Sequence, residues 1–158
     1  MRFAQRRKRN DRRGTTTVEA AFVLPVFFLF VFGVFQLGHA QMVSNMLKSA
    51  ARNGARLGAT EGVPSDQVVD RVRDILSSAI DPNQVTVMVK DGSLFDDGGA
   101  VPSGAGDYAA LPDIELSDAG PRQLFIVRVS VPYNQVSVLP MGFLKNVVLS
   151  GQAVMRHE

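Results

Sequence analysis

Few side chains in this sequence are placed to do chemistry. Asp91, Asp96, Asp97 and Asp107 offer the hard oxygen donors that calcium takes. Their spacing gives neither the Asp-x-Asp-x-Asp-Gly opening nor the closing glutamate of an EF-hand loop, so a solvated acidic loop is the favoured reading. The adjacent Asp96-Asp97 pair has the composition of a general acid–base couple, but it lies in that same Gly- and Asp-rich segment. The two histidines, His39 and His157, stand far apart in the chain, and both are expected at the surface. The sequence has no Gly-x-Ser-x-Gly, His-Glu-x-x-His, phosphate-binding loop or dinucleotide fingerprint. With no cysteine, disulfides and thiolate metal sites are excluded. No catalytic, cofactor-binding or metal-ligating residue is assigned, and the chain reads as a non-enzyme. One ionisable group remains to be explained. Glu19 is the only full charge between Arg13 and Lys48.

The element that positions Glu19 is an apolar run. From Ala20 to Phe35 every residue is Ala, Val, Leu, Phe, Pro or Gly. A helix of about 20 residues rises about 30 Å, the thickness of a bilayer's hydrocarbon core. A transmembrane helix is therefore expected over residues 15–39, with the lipid bilayer as its surroundings. Residues 1–14 form a basic leader holding Arg2, Arg6, Arg7, Lys8, Arg9, Arg12 and Arg13 against Asp11 alone, although the whole chain carries only +2. Such a flank stays cytoplasmic and directs the C-terminal part outward. The clustered arginines explain themselves in this way, with no aromatic alternation to suggest nucleic-acid binding. Arg12-Arg13 is followed by Gly-Thr-Thr, which fits a twin-arginine export signal poorly. The rival class is an exported enzyme or ligand-binding domain released by signal peptidase after Ala40, where Gly38-His39-Ala40 supplies small residues.

Beyond the anchor, residues 40–61 predict a helical stem. Met42, Met46, Leu47 and Ala50 recur at helical spacing, while Lys48, Arg52 and Arg56 fall at i, i+4 and i+8. Ala51, Ala55 and Gly58 form a row small enough for another helix to approach closely. Residues 62–158 predict an extracytoplasmic α+β domain, one amphipathic helix on about three antiparallel strands. Gly62-Val63-Pro64 breaks the stem, and Ser65 is the expected N-cap of the next helix. That helix carries Val68, Val69, Val72, Ile75, Leu76, Ala79 and Ile80 as an apolar stripe, and Asp81-Pro82-Asn83 ends it. Strands are expected around Val85–Val89, Phe125–Val131 and Asn146–Arg156, the last placing Val147, Leu149 and Val154 near the core with Gly151 as a bulge. Pro140 and Gly142 punctuate the turn before it, and residues 91–121 read as a flexible, solvated loop.

A basic leader ending in Gly14, then Thr15-Thr16-Thr17-Val18-Glu19, then an apolar helix, resembles the processing signal of type IV pilin-like proteins. There a prepilin peptidase cuts after a glycine, and a glutamate stands fifth in the mature chain. Counted from Thr15, Glu19 is fifth. The stem Ala50-Ala51-Arg52-Asn53-Gly54-Ala55-Arg56 is similar to the Ala-Ala-Arg-x-Gly-Ala-Arg element of the TadE-like family, and the tail LSGQAVMRHE to that family's closing strand. These are pseudopilins, or minor pilins, of the tight-adherence system that builds Flp pili in bacteria. The resemblance implies a single-pass inner-membrane protein, N-terminus inside, that acts in pilus assembly and adherence through protein–protein interaction. It implies pilins, pseudopilins and Tad secretion-platform proteins as partners, with prepilin peptidase acting at Gly14, Thr15 and Glu19 or the anchor kept uncut. It further implies helix packing or assembly through Ala51, Arg52, Gly54, Ala55, Arg56 and Gly58.

Overall fold

A computed structural model describes residues 12–96, 98, 102, 104–137 and 147–158. The leader before Arg12, Asp97, Pro140, Gly142 and Asn146 lie outside the described residues. The chain divides into two compact units, Met1–Leu37 and Gly38–Glu158. One helix, α1 (Arg12–Gly58), contributes to both.

In the first unit the apolar part of α1 is exposed along its length. Val18, Phe22, Leu29 and Phe30 are all more than half exposed, which a soluble core helix would not tolerate. Its contacts are local, such as the edge-on pair Phe27–Phe28 with centroids 5.9 Å apart. Pro25 sits inside the helix and removes one backbone N–H. This stretch is long and apolar enough to cross a membrane.

The second unit has the α+β architecture that the periodicities predict. Strands β1 (Thr86–Asp91), β2 (Leu124–Pro132) and β3 (Val148–Arg156) form an antiparallel sheet in the order β1-β2-β3. Onto its inner face pack the C-terminal half of α1 and α2 (Ser65–Leu76). Val43, Leu47, Ala50, Ala51 and Ala55 of α1 share one core with Val68, Val72 and Leu76 of α2 and with Phe125, Val127, Val129 and Val131 of β2. The stem is thus a wall of the domain.

Four local expectations are corrected. First, Ser65 is not the N-cap; Pro64 takes that position and Ser65 opens α2. Its N–H donates to Glu115 Oε1 at 2.8 Å, its hydroxyl donates to the Ile114 carbonyl at 2.8 Å, and its oxygen accepts from the Leu116 N–H at 2.9 Å. A distant loop therefore satisfies the helix start. Second, α2 ends at Leu76 rather than reaching Ile80, because the Ser77 hydroxyl donates back to the Asp74 carbonyl and the chain turns there. The stripe loses its phase, leaving Ala79 exposed and Ile80 buried. Third, β3 has no bulge: Gly151 pairs with Val129 in an unbroken register. Its inner-facing residues are Leu149, Gly151, Ala153 and Met155, whereas Val154 is half exposed and Val147 is exposed. A Cβ at position 151 would collide with the backbone of Leu47 and Lys48, so the missing side chain is what lets α1 lie against β3.

Fourth, the described residues of segment 91–121 pack on both faces of the sheet: Tyr108 lies over Arg128 on the outer face, and Leu116 belongs to the inner core with Phe125. The segment contains α3 (Ala105–Ala109), and it buries Leu116 completely and Tyr108 almost so. An isolated bridge joins Lys90 to Asp113, whose carboxylate lies 2.7 Å from the lysine nitrogen. A further turn of α-helix, α4 (Tyr133–Val136), follows β2.

Candidate functional site

The residues expected to carry processing lie at the head of α1. The backbone is already helical through Gly14 and Thr15, and Glu19 is exposed on the first unit. No charged side chain lies between Glu19 and Lys48, so along this helix the carboxylate stands alone.

The residues expected to carry helix packing separate into two sets. Ala51, Gly54, Ala55 and Gly58 all face the interior of the second unit. A Cβ on Gly54 would collide with Val72, and one on Gly58 would lie 2.7 Å from Leu116 and 3.3 Å from Phe125. The close neighbours of the small row are the chain's own α2, loop and sheet. Arg52 and Arg56, with Lys48, are exposed instead. Lys48 and Arg52 border a cleft of about 540 Å³ closed by Tyr108, Arg128, Ser150 and Gln152. Arg128 lies 4.2 Å from the centroid of Tyr108, a cation–π contact, and donates to Gln152 Oε1 at 2.9 Å and Ser150 Oγ at 3.2 Å. Arg52 and Arg56 continue along an adjoining hollow of about 350 Å³ beside Gln152 to Met155. Sequence reasoning passed over Arg128 and Tyr108. Arg128 read as the polar, outward member of an alternating strand, and nothing local tied it to a tyrosine inside a Gly-rich loop.

The acidic residues serve the fold. Asp91 accepts from the Ser93 N–H and Gln123, Asp96 pairs with Arg156 at 2.7 Å, and Asp107 accepts from the Gly104 N–H. Among the described residues no three His, Asp or Glu side chains converge on a metal-sized site. Glu115 is held below the ordinary glutamate range chiefly by the Ser65 N–H, assisted by Ser117 and opposed by partial desolvation. The surface expectation for His157 is corrected: it is buried, and its ring nitrogens find no hydrogen-bond partner among the described residues. His39 borders an apolar groove of about 250 Å³ with Met42, Met46 and Ile80.

A helix apolar and exposed in one unit, and core-forming in an α+β unit, defines a protein with one membrane-suited helix among the described residues. Residues 14–56, all within α1, match the model of the TadE-like protein family. The family is structural and associated with the Tad pilus. No curated protein and no solved structure matches the chain.

Proposed function

We propose that this protein is a TadE-like pseudopilin, or minor pilin, that acts in assembly of a Tad/Flp-type pilus by protein–protein interaction. The observation that carries the reading is the first half of α1, an exposed apolar helix headed by one carboxylate, Glu19. A protein that finishes its work as a lone soluble domain has no use for such a surface. A bilayer covers it before assembly, and neighbouring pilin helices cover it within a filament. The leader stays in the bacterial cytoplasm and the α+β unit lies outside the inner membrane. Other pilins, pseudopilins and secretion-platform proteins are the partners, and prepilin peptidase cuts between Gly14 and Thr15. Release by signal peptidase after Ala40 is disfavoured because Ala40 sits mid-helix in α1, three residues before the first core residue, Val43.

Cutting after Gly14 removes the arginines and gives Thr15 a free ammonium. Glu19 then favours the dipole at its own helix start and can pair with the amine of an adjacent subunit. Glu19→Gln keeps the shape without the charge, and this variant inserts but does not assemble. Mass spectrometry of the mature chain tests the premise: Thr15 as first residue supports cleavage, Met1 sinks it, and Gln41 favours the exported alternative. Orientation is tested in spheroplasts with an impermeant thiol reagent, which labels Asp118→Cys and not Gln5→Cys. The reverse pattern overturns the topology.

A further inference from the structure

We propose that the open edge of β3 and the basic side of α1 form one docking site for an extended, acidic peptide segment of a partner protein, taken up as a fourth strand. This deepens the assembly reading by naming the chemistry of the partner. β3 is the margin of the sheet. The Tyr133 N–H donates to the Val147 carbonyl and the His157 N–H to the Gln123 carbonyl, so the odd-numbered residues of this strand turn their backbone toward β2. Val148, Ser150, Gln152, Val154 and Arg156 consequently turn theirs outward, and those groups have no backbone partner among the described residues. Free edges are normally blunted by lysine, proline or a bulge. β3 has none of these, and it exposes Val148 and Val154 by about half.

Charge then selects the strand that fits. α1 and β3 advance together: Lys48 lies against Gly151, and the Ala59 carbonyl accepts from the Glu158 N–H. Lys48, Arg52 and Arg56 recur every four residues, about 6 Å along a helix. Alternate residues of a strand recur about every 6.8 Å. A strand added at this edge with acidic residues at alternate positions would meet these cations nearly in step. Arg128 adds a fourth positive group at the cleft wall. Among the described residues none of these four cations has a carboxylate within 4.0 Å, although Arg71, Lys90 and Arg156 each have one. The extended backbone requirement favours a peptide over an anionic lipid headgroup, which supplies charge alone.

The test uses the full-length chain in a nonionic detergent and a fluorescent, capped octapeptide of alternating Glu and Val. The alternating peptide binds, while its Lys-Val counterpart does not. N-methylation on the backbone nitrogens of alternate residues abolishes binding in the register that faces β3. The double variant Arg52→Gln/Arg56→Gln weakens binding about fivefold or more, as expected for two exposed ion pairs, with the melting midpoint unchanged. No binding of the acidic peptide, equal binding of the lysine peptide, or full tolerance of N-methylation in both registers each overturns the proposal. So does uptake of phosphatidylglycerol nanodiscs in place of the peptide. Lost peptide binding with normal piliation of the double variant would leave the site standing and remove the assembly reading. Retained binding with lost piliation would do the opposite.

Discussion

Gly151→Ala adds a single methyl group at the point where α1 meets β3. Its Cβ would overlap Leu47 and Lys48 and lie 2.7 Å from the Lys48 Cα, against an ordinary carbon contact of about 3.5–4.0 Å. The atoms in the way are backbone, so no rotamer change relieves the clash. Either the helix lifts or β3 bends. Overpacking of this kind costs about 1–3 kcal/mol. That outweighs the roughly 0.5–1 kcal/mol that alanine gains over glycine in a regular element. For a domain of this size each kcal/mol moves the melting midpoint by about 3–6 °C, so overpacking of about 1–3 kcal/mol lowers it by roughly 3–18 °C. The chain has two tyrosines and no tryptophan, and Tyr108 and Tyr133 are both buried. Their tyrosine band in near-ultraviolet dichroism, at longer wavelength than the phenylalanine bands of the anchor, therefore reports the domain. Gly106→Ala is the control, since a Cβ there meets nothing within 4 Å; it should be neutral or slightly stabilising. An unchanged midpoint for Gly151→Ala would falsify the packing of α1 on β3.

Phe125→Ala empties the largest fully buried side chain of the core and should cost about 3–5 kcal/mol, read by the same melts. Gly58→Leu, which would spare the domain if the small row served a foreign helix, should instead unfold or strongly destabilise it, because Leu116, Val68 and Phe125 occupy the space. Normal folding of that variant would return the row to assembly. Glu115→Gln tests the loop clamp through pH. Its folded carboxyl titrates below the ordinary value of 4.5, so its stabilising contribution is complete above that pH and is lost as pH falls through the lower folded value. Acid melts of the wild type should fall more steeply below about pH 4.5 than those of the variant.

The anchor, α2 and the three strands were legible because each carries its own period: continuous apolarity, the Val68–Val72–Leu76 spacing, and alternation through Phe125, Val127 and Val129. β3 was found but its face was misread. Val154 is apolar yet exposed, while the inner positions hold Gly151 and Ala153, made small by a helix backbone that no local pattern announces. Ser65 misled for a related reason. A serine before an apolar stripe signals an N-cap, but Ser65 is the first residue of α2, and its own N–H is satisfied by a glutamate fifty residues away. The anchoring of segment 91–121 rests on isolated residues such as Leu116 and Tyr108, which have no period at all.

The family match and the fold together narrow what the stem is for. The match ends at residue 56, within α1, so what is shared is the sequence of one helix. Inside that helix, Leu47, Ala50, Ala51, Gly54 and Ala55 are fully accounted for by packing within this chain: any larger residue at the glycine meets Val72, and the alanines are wholly buried. Packing asks nothing of Lys48, Arg52 or Arg56, which are exposed and lack a carboxylate partner among the described residues. Helix propensity does not require them either, since alanine, glutamine or glutamate would serve as well. Three like charges along one face cost a few tenths of a kcal/mol for each neighbouring pair. A fold that gains nothing from that repulsion is consistent with a negative partner outside the chain, and the open edge of β3 runs alongside.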